Sequence, residues 1–305
     1  MLGFLLKRFF HGVIVLWIVA SLTFLLLRLA PGGPFDRERK LPPEVIANIE
    51  AKYHLDEPLL AQYLRYLSGI ARGDLGPSYK YVDRSVGEVI AETLPTSATL
   101  GLLALLFALA LAFPAALFAA YYRDSWIDRA CMFVATLGIS VPHFVLGALL
   151  IWMVALQLGW LQVGRWDQWE GVILPTITLG AAPAAYLAAL LRSTLLETFG
   201  EDFVRTARAK GLKESAVVLH HALRHSLIPV LTVMGPLTAA LLTGSFVVEY
   251  VFAIPGMGRF FITAVTDRDY PLIMGVTLVY TALLVLANML IDILYGAVDP
   301  RIRAQ

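Results

Sequence analysis

Long apolar runs separated by polar stretches organise this chain. They cover Phe9–Leu29, Ser97–Tyr121, Ala130–Leu158, Val172–Leu191, Leu227–Val251 and Leu272–Tyr295. A helix needs about 20 residues to cross roughly 30 Å of hydrocarbon, and every run meets that length. The runs are too long and too continuously apolar for the alternating strands of a barrel. The pattern predicts an all-α integral membrane fold with six transmembrane helices. The first run follows Lys7 and Arg8, exceeds the length of a secretory signal core and lacks a small-x-small cleavage site, so it reads as an uncleaved anchor.

Two polar stretches carry patterns of their own. Glu201 to Pro229 reads EDFVRTARAKGLKESAVVLHHALRHSLIP, with apolar residues at helical spacing (Phe203, Ala207, then Val217, Leu219, Leu223). It is broken at Gly211, where a left-handed turn is cheap, and Pro229 marks the point where a new helix can begin. An amphipathic hairpin without a partner in its own loop predicts a docking surface for another protein. The other stretch, Ala30 to Thr96, is too long for a structureless connection. Pro42 and Pro43 open one amphipathic segment and Pro58 a second, with Leu59, Leu60, Tyr63, Leu64 and Leu67 on one face. A small helical cap on the membrane surface is expected, packed on its own spans or receiving a partner. The resulting organisation is 1–29 for the amino-terminal end and first span, 30–96 for the cap, 97–295 for a five-helix core with its loop at 192–226, and 296–305 for the tail.

Composition agrees with the pattern: 58% of residues are hydrophobic and 15% charged, too little polarity for the surface of a soluble domain. A net charge of +1 gives no concentrated basic field for nucleic acid. With Cys131 as the single cysteine, no intrachain disulfide can form. No G-x-x-x-x-G-K-[ST] run is present, so any ATP that drives this protein is bound by another chain. Basic residues of the short loops (Arg123, Arg129, Arg192, Arg205, Arg208, Lys210, Lys213, Arg224, Arg301, Arg303) fall on one side together with the amino terminus. By the positive-inside rule both termini and the hairpin are expected in the cytoplasm.

Residues able to carry chemistry are few. His220, His221 and His225 cluster in the hairpin, but Ala222 stands where a zinc-hydrolase helix needs glutamate, and they read as solvated or docking-face histidines rather than metal ligands. Glu249 lies at the end of the fifth run within EYVFAIPGMGRF, where Pro255, Gly256 and Gly258 must interrupt the helix. It is either a partly hydrated carboxylate near the interface, beside Arg259, or an element of an external gate. Asn288 and Asp292 stand one turn apart on the last run, as a helix–helix hydrogen bond or a cation-coupling site. No catalytic constellation survives this topology. An ion-coupled secondary transporter remains a second class, though neither internal repeats nor midplane polar residues support it; an intramembrane enzyme is a third.

At the hairpin, TARAKGL followed by HALRHSLIP resembles the cytoplasmic coupling loop of ABC importer permeases, in the variant of the oligopeptide and dipeptide permeases. Where the general pattern has Glu-Ala-Ala six residues before the glycine, this chain has Arg205, Thr206 and Ala207, and Arg224 stands where many members have proline. Both departures are shared by the peptide branch. RLAPG at Arg28–Gly32, HLDEPLLAQYLRYL, GDLGPSY, the E-x-x-F-x-x-P-G-x-G run and the DPRIR tail are similar to the same branch over nearly the whole length. The resemblance implies a type I importer permease fold and an ATPase-coupling loop at Phe203, Val204, Arg205, Thr206, Ala207, Arg208, Ala209, Lys210, Gly211 and Leu212. It implies an external gate element at Glu249, Phe252, Pro255, Gly256 and Gly258. As partners it implies a second homologous permease, two cytoplasmic ATPases that bind ATP and Mg, and a periplasmic or lipid-anchored peptide-binding protein. This chain itself is expected to bind no cofactor and to sit in a bacterial inner membrane. Oligopeptides are the favoured cargo; dipeptides, glutathione, nickel complexes and opine-like compounds are the alternatives within the family.

Overall fold

The computed structural model describes residues 2–31, 33–35, 51–81 and 83–298, with the side chains of 2–5, 291, 292 and 294–298 excepted. Residues 42–50 of the segment opened by Pro42 and Pro43, the tail with Arg301 and Arg303, and the side chain of Asp292 lie outside the described residues. Contacts divide the chain into two compact units, Met1–Thr96 with Gly256–Val285 and Ser97–Pro255 with Leu286–Gln305.

In the first unit, α1 (Leu2–Leu29) is contacted by α2 (Leu59–Ala71). Ser21 Oγ lies 2.6 Å from the Tyr63 hydroxyl, and the Phe24 ring packs on Tyr63 and Tyr66. The next helix, α3 (Val86–Tyr121), begins well before the apolar run at Ser97. A capping box explains the early start: Ser85 Oγ accepts from Glu88 N and Glu88 Oε2 accepts from Ser85 N. Val86, Val89 and Ile90 of this first stretch pack with Met257 and Ala264 of α10 (Met257–Asp267) and with Leu272, Ile273 and Val276 of α11 (Tyr270–Val298). Buried Asp269 joins the segment before α3 to the start of α11. Its carboxylate accepts from Ser78 Oγ, Tyr79 N and Leu272 N, the last a helix N-cap.

The second unit holds the rest of α3, then α4 (Trp126–Ser140), α5 (His143–Leu150) with a π-helical stretch Ile151–Gln157, and α6 (Trp169–Phe199). After α6 come α7 (Asp202–Ala209), a short turn Glu214–Ala216, a π-helical turn Val217–Ala222, α8 (Leu223–Leu242) and α9 (Phe246–Val251). Its core is formed where Leu100, Ala104, Leu174, Leu179, Leu241, Val248, Phe252 and Ile254 meet, and where Ala112, Ala116, Leu187, Leu191, Leu195, Ala222 and Val230 meet.

Among the described residues, five helical runs (α1, α3, α6, the run Glu214–Val251 that includes α8 and α9, and α11) are long and apolar enough to span a membrane, and a sixth is so only if α4 and α5 with its π-helical stretch count as one. Those two are bent by 105°. The expected continuous third span, Ala130–Leu158, is therefore a broken one. Pro142 is the cause: it forces Val141 out of the helical region to φ −82°, ψ 119°, which ends α4 at Ser140. Pro175 and Pro183, by contrast, sit inside an unbroken α6. Pro229 likewise lies within α8 rather than at its start, so the hairpin's second arm continues into the span without a joint.

Candidate functional site: the polar hairpin and the buried glutamate

The hairpin closes on itself. α7 ends in a Schellman motif: Lys210 is the C-cap, Gly211 follows at φ 76°, Gly211 N donates to Arg208 O at 2.9 Å and Leu212 N to Ala207 O at 3.4 Å. Across this turn Arg208 holds Glu214 with two hydrogen bonds of 3.1 and 2.6 Å. The pair holds the Glu214 carboxyl below its usual range, the Arg208 hydrogen bond being the main cause, and raises Arg208 in turn. Val204, Ala207 and Val217 form the hairpin's own small core. Of the apolar stripe, Phe203 lies 37% exposed at the rim with its ring 4.6 Å from that of His225 and Ala207 is buried, while Leu219 faces outward and Val218 is buried in its place. The shift follows from the π-helical turn, whose wider pitch rotates residues 217–222 away from an α-helical register. Thr206, Arg205, Ala209, Lys210 and Leu212 leave a mixed basic and apolar outer surface.

The hairpin's root is held by polar contacts inside the second unit. Buried Ser226 of α8 donates to Thr198 Oγ1 of α6 at 2.9 Å, and Thr194 Oγ1 lies 3.1 Å from Ser226 O. Further along α6, Arg192 makes a bidentate pair with Asp128 of α4, Nε and Nη2 each 2.6 Å from a carboxylate oxygen. Asp128 also accepts from Asp124 N at 3.0 Å. Neither the Asp128–Arg192 clamp nor the Thr194–Thr198–Ser226 cluster is signalled by spacing. The available hint was that both charges flank the ends of apolar runs.

Glu249 is not a hydrated interfacial group. It is fully buried, at 0% exposure, in the first turns of α9, and its Oε1 accepts from Ser97 Oγ at 2.8 Å. Gly244, at φ 81° between α8 and α9, makes room for it, because a Cβ there would lie 2.1 Å from Glu249 Oε1. α9 ends in a second Schellman motif, in which Ile254 N donates to Glu249 O at 2.8 Å and Ala253 occupies the left-handed position at φ 54°. Phe252, 1% exposed, seats on α5, its Cε2 lying 3.1 Å from where a Gly147 Cβ would stand. Pro255 is exposed at the end of this unit, Gly256 caps α10 in an extended conformation, and Gly258 is buried in that helix's first turn. Asn288 is half-buried on α11. Among the described residues no three His, Cys, Asp or Glu side chains gather as a metal site.

The family model for binding-protein-dependent transport system inner membrane components matches residues 112–304, and the model of the corresponding amino-terminal region matches residues 1–101. The chain belongs to this permease family. It is a membrane subunit of an ABC importer, located as a multi-pass protein in the inner membrane, and not an enzyme. The permease is 44% identical over 305 residues to the oligopeptide transport system permease protein OppB of Haemophilus influenzae, covering 99% of this chain and 100% of the relative. It is 42% identical to OppB of Escherichia coli strain K12, with the same coverage. The dipeptide transport system permease protein DppB of Bacillus subtilis is also 42% identical, over 99% of this chain and 98% of the relative. Among solved structures, one of the inward-facing MetNI methionine ABC transporter matches with a TM-score of 0.54 over 69% of this chain and 96% of that one. At 18% identity that match bears on the fold alone.

Proposed function

We propose that this permease carries oligopeptides, forming the membrane path with a second, homologous permease chain and receiving cargo from a solute-binding protein on the outer face. Two cytoplasmic ATPases dock on Phe203–Leu212, and their closure on ATP and Mg is passed to the spans. Both termini lie in the cytoplasm. This chain binds no cofactor of its own. The observation that carries the reading is the self-contained hairpin. Because Val204, Ala207 and Val217 supply its core and Arg208–Glu214 locks its turn, it keeps a fixed shape while Phe203, Lys210 and Leu212 stay open to a partner.

Glu249, Phe252, Pro255, Gly256 and Gly258 are proposed as the external gate element. The buried Glu249–Ser97 hydrogen bond supports this, since it sits at the break between α8 and α9 where a helix end can pivot.

The test is purification of the tagged chain from its native membrane in mild detergent, with ATPase assayed in the recovered complex. Recovery of a second permease and ATPases, with hydrolysis stimulated by a binding protein loaded with oligopeptide, is the expected result. Stimulation by dipeptide alone would redirect the cargo; transport by the isolated chain without ATP would overturn the reading.

A further inference from the structure

The first unit contains a cavity of about 430 Å³ that the transport reading leaves unused. It is enclosed by the last turns of α1, by α2 and the turn that follows it, and by Pro271 and Met274 at the start of α11. Its depth is set by α1. That span ends at Leu29, and α2 lies against its final turns through Ser21–Tyr63 and Phe24–Tyr66. This is the level at which hydrocarbon gives way to headgroups. Leu59, Leu60 and Leu64 of α2 are more than half exposed there, as are Leu22 and Leu26 of α1, so acyl chains are the natural cover for both faces.

The cavity wall is cationic. Arg65 is matched by Glu57 at 2.5 Å, and Asp74 is the one carboxylate among the described lining residues beside Arg28, Lys52 and Arg72; Arg28 also lies over the Phe24 and Tyr270 rings and Lys52 over Tyr53. Two enclosed polar atoms of the lining lack partners among the described residues. Gln62 is 8% exposed; its Nε2 donates to Leu55 O and Glu57 O, which leaves Oε1 unused. The Tyr66 hydroxyl is enclosed and unpaired as well. Burial, and secondarily Tyr63, pushes its phenol up to about 12, so it remains a hydrogen-bond donor throughout the physiological range. An anion with a hydroxyl beside it satisfies this set: cations and the Tyr66 hydroxyl for the anion, Gln62 Oε1 for the hydroxyl.

We propose that the cavity holds the headgroup of an anionic glycerophospholipid, its phosphate facing Arg28, Arg72 and Tyr66 and a headgroup hydroxyl facing Gln62. Bound there, the lipid seals α2 against α1.

Native mass spectrometry of the full chain, purified with its partners and exposed to defined lipids, tests this. Phosphatidylglycerol, with phosphate and hydroxyls, is the ligand probe, phosphatidylcholine the control without a donor, and inorganic phosphate the soluble competitor. One phosphatidylglycerol should be retained in preference to phosphatidylcholine, and Arg72→Gln should lower that retention by about fivefold. Tyr66→Phe should leave the lipid-free thermal midpoint unchanged or higher and reduce only the rise that phosphatidylglycerol produces. Equal retention of the two lipids, or undiminished retention in both variants, overturns the proposal. So does displacement by inorganic phosphate, which would mark a soluble-anion site. Unchanged lipid retention with lost stimulation by the binding protein would also overturn it, assigning the cavity to a protein-docking face.

Discussion

Gly244 and Glu249 occupy the same space: the carboxylate oxygen of one lies 2.1 Å from where a Cβ of the other would be. Gly244→Ala must therefore displace a buried carboxylate from its Ser97 donor and also place alanine at φ 81°. Together these should cost at least about 3 kcal/mol, read as a lowered thermal midpoint of the purified complex. Glu249→Gln keeps shape and acceptor, so it should fold and assemble with the ATPases while altering uptake. Lost assembly in that variant would make Glu249 a structural residue and remove it from the gate.

Gly211 is the opposite case, because nothing lies within 4 Å of a Cβ built there. Only its φ of 76° resists substitution. Gly211→Val should strain the turn by about 1–2 kcal/mol, leave membrane insertion intact and uncouple ATP hydrolysis from uptake. Gly211→Asn, which tolerates the left-handed region, should be milder. Normal peptide uptake in the valine variant would count heavily against the coupling role.

Ala253 holds a conformation that glycine adopts without penalty. Ala253→Gly should raise the stability of the complex by about 0.5–1 kcal/mol, less than a full left-handed penalty because glycine is also freer when unfolded. An unchanged or lower thermal midpoint would show that α9 does not depend on this turn.

The apolar runs made the spans and the hairpin legible, but not the positions that matter within them. Pro142 breaks its helix whereas Pro175, Pro183 and Pro229 do not, and local sequence does not separate these cases; neighbouring helices decide whether the freed backbone groups are satisfied. Glu249 was conspicuous as a charge in an apolar run, yet its donor, Ser97, is 152 residues away and no periodicity links them. Val218 took the buried place expected of Leu219 because a π-helical turn is invisible to a search for 3.6-residue spacing.

Asp128 is 5% exposed and Arg192 23%, so the clamp cannot be halved cheaply. Asp128→Asn should leave a guanidinium without its counter-charge and destabilise the complex by about 3 kcal/mol. Replacing both residues with leucine should recover much of that loss in a double-mutant thermal series; a loss in the double variant equal to the sum of the losses from replacing each residue alone would show that the pair is not coupled.

Acid should loosen the hairpin. Glu214 titrates below its ordinary value, so the stabilisation from Arg208 is fully present above the unfolded carboxylate pKa and is lost as pH falls through the lower folded value. Both side chains are about 40% exposed, so the effect is a fraction of a kcal/mol after solvent screening. Proteolysis at the Gly211 turn should accelerate below about pH 4 in the native protein, and Glu214→Gln should make the rate insensitive to pH in that window.

The absence of a joint at Pro229 gives α8 the mechanics of a lever. Its 20 residues make a rod of about 30 Å with the hairpin at its foot and Gly244 just past its head. A tilt of about 5° at the foot sweeps the head through roughly 3 Å, as much as the 2.8 Å that separates Ser97 from Glu249. A displacement too small to rearrange the hairpin is thus magnified into one large enough to make or break the contact at the far end.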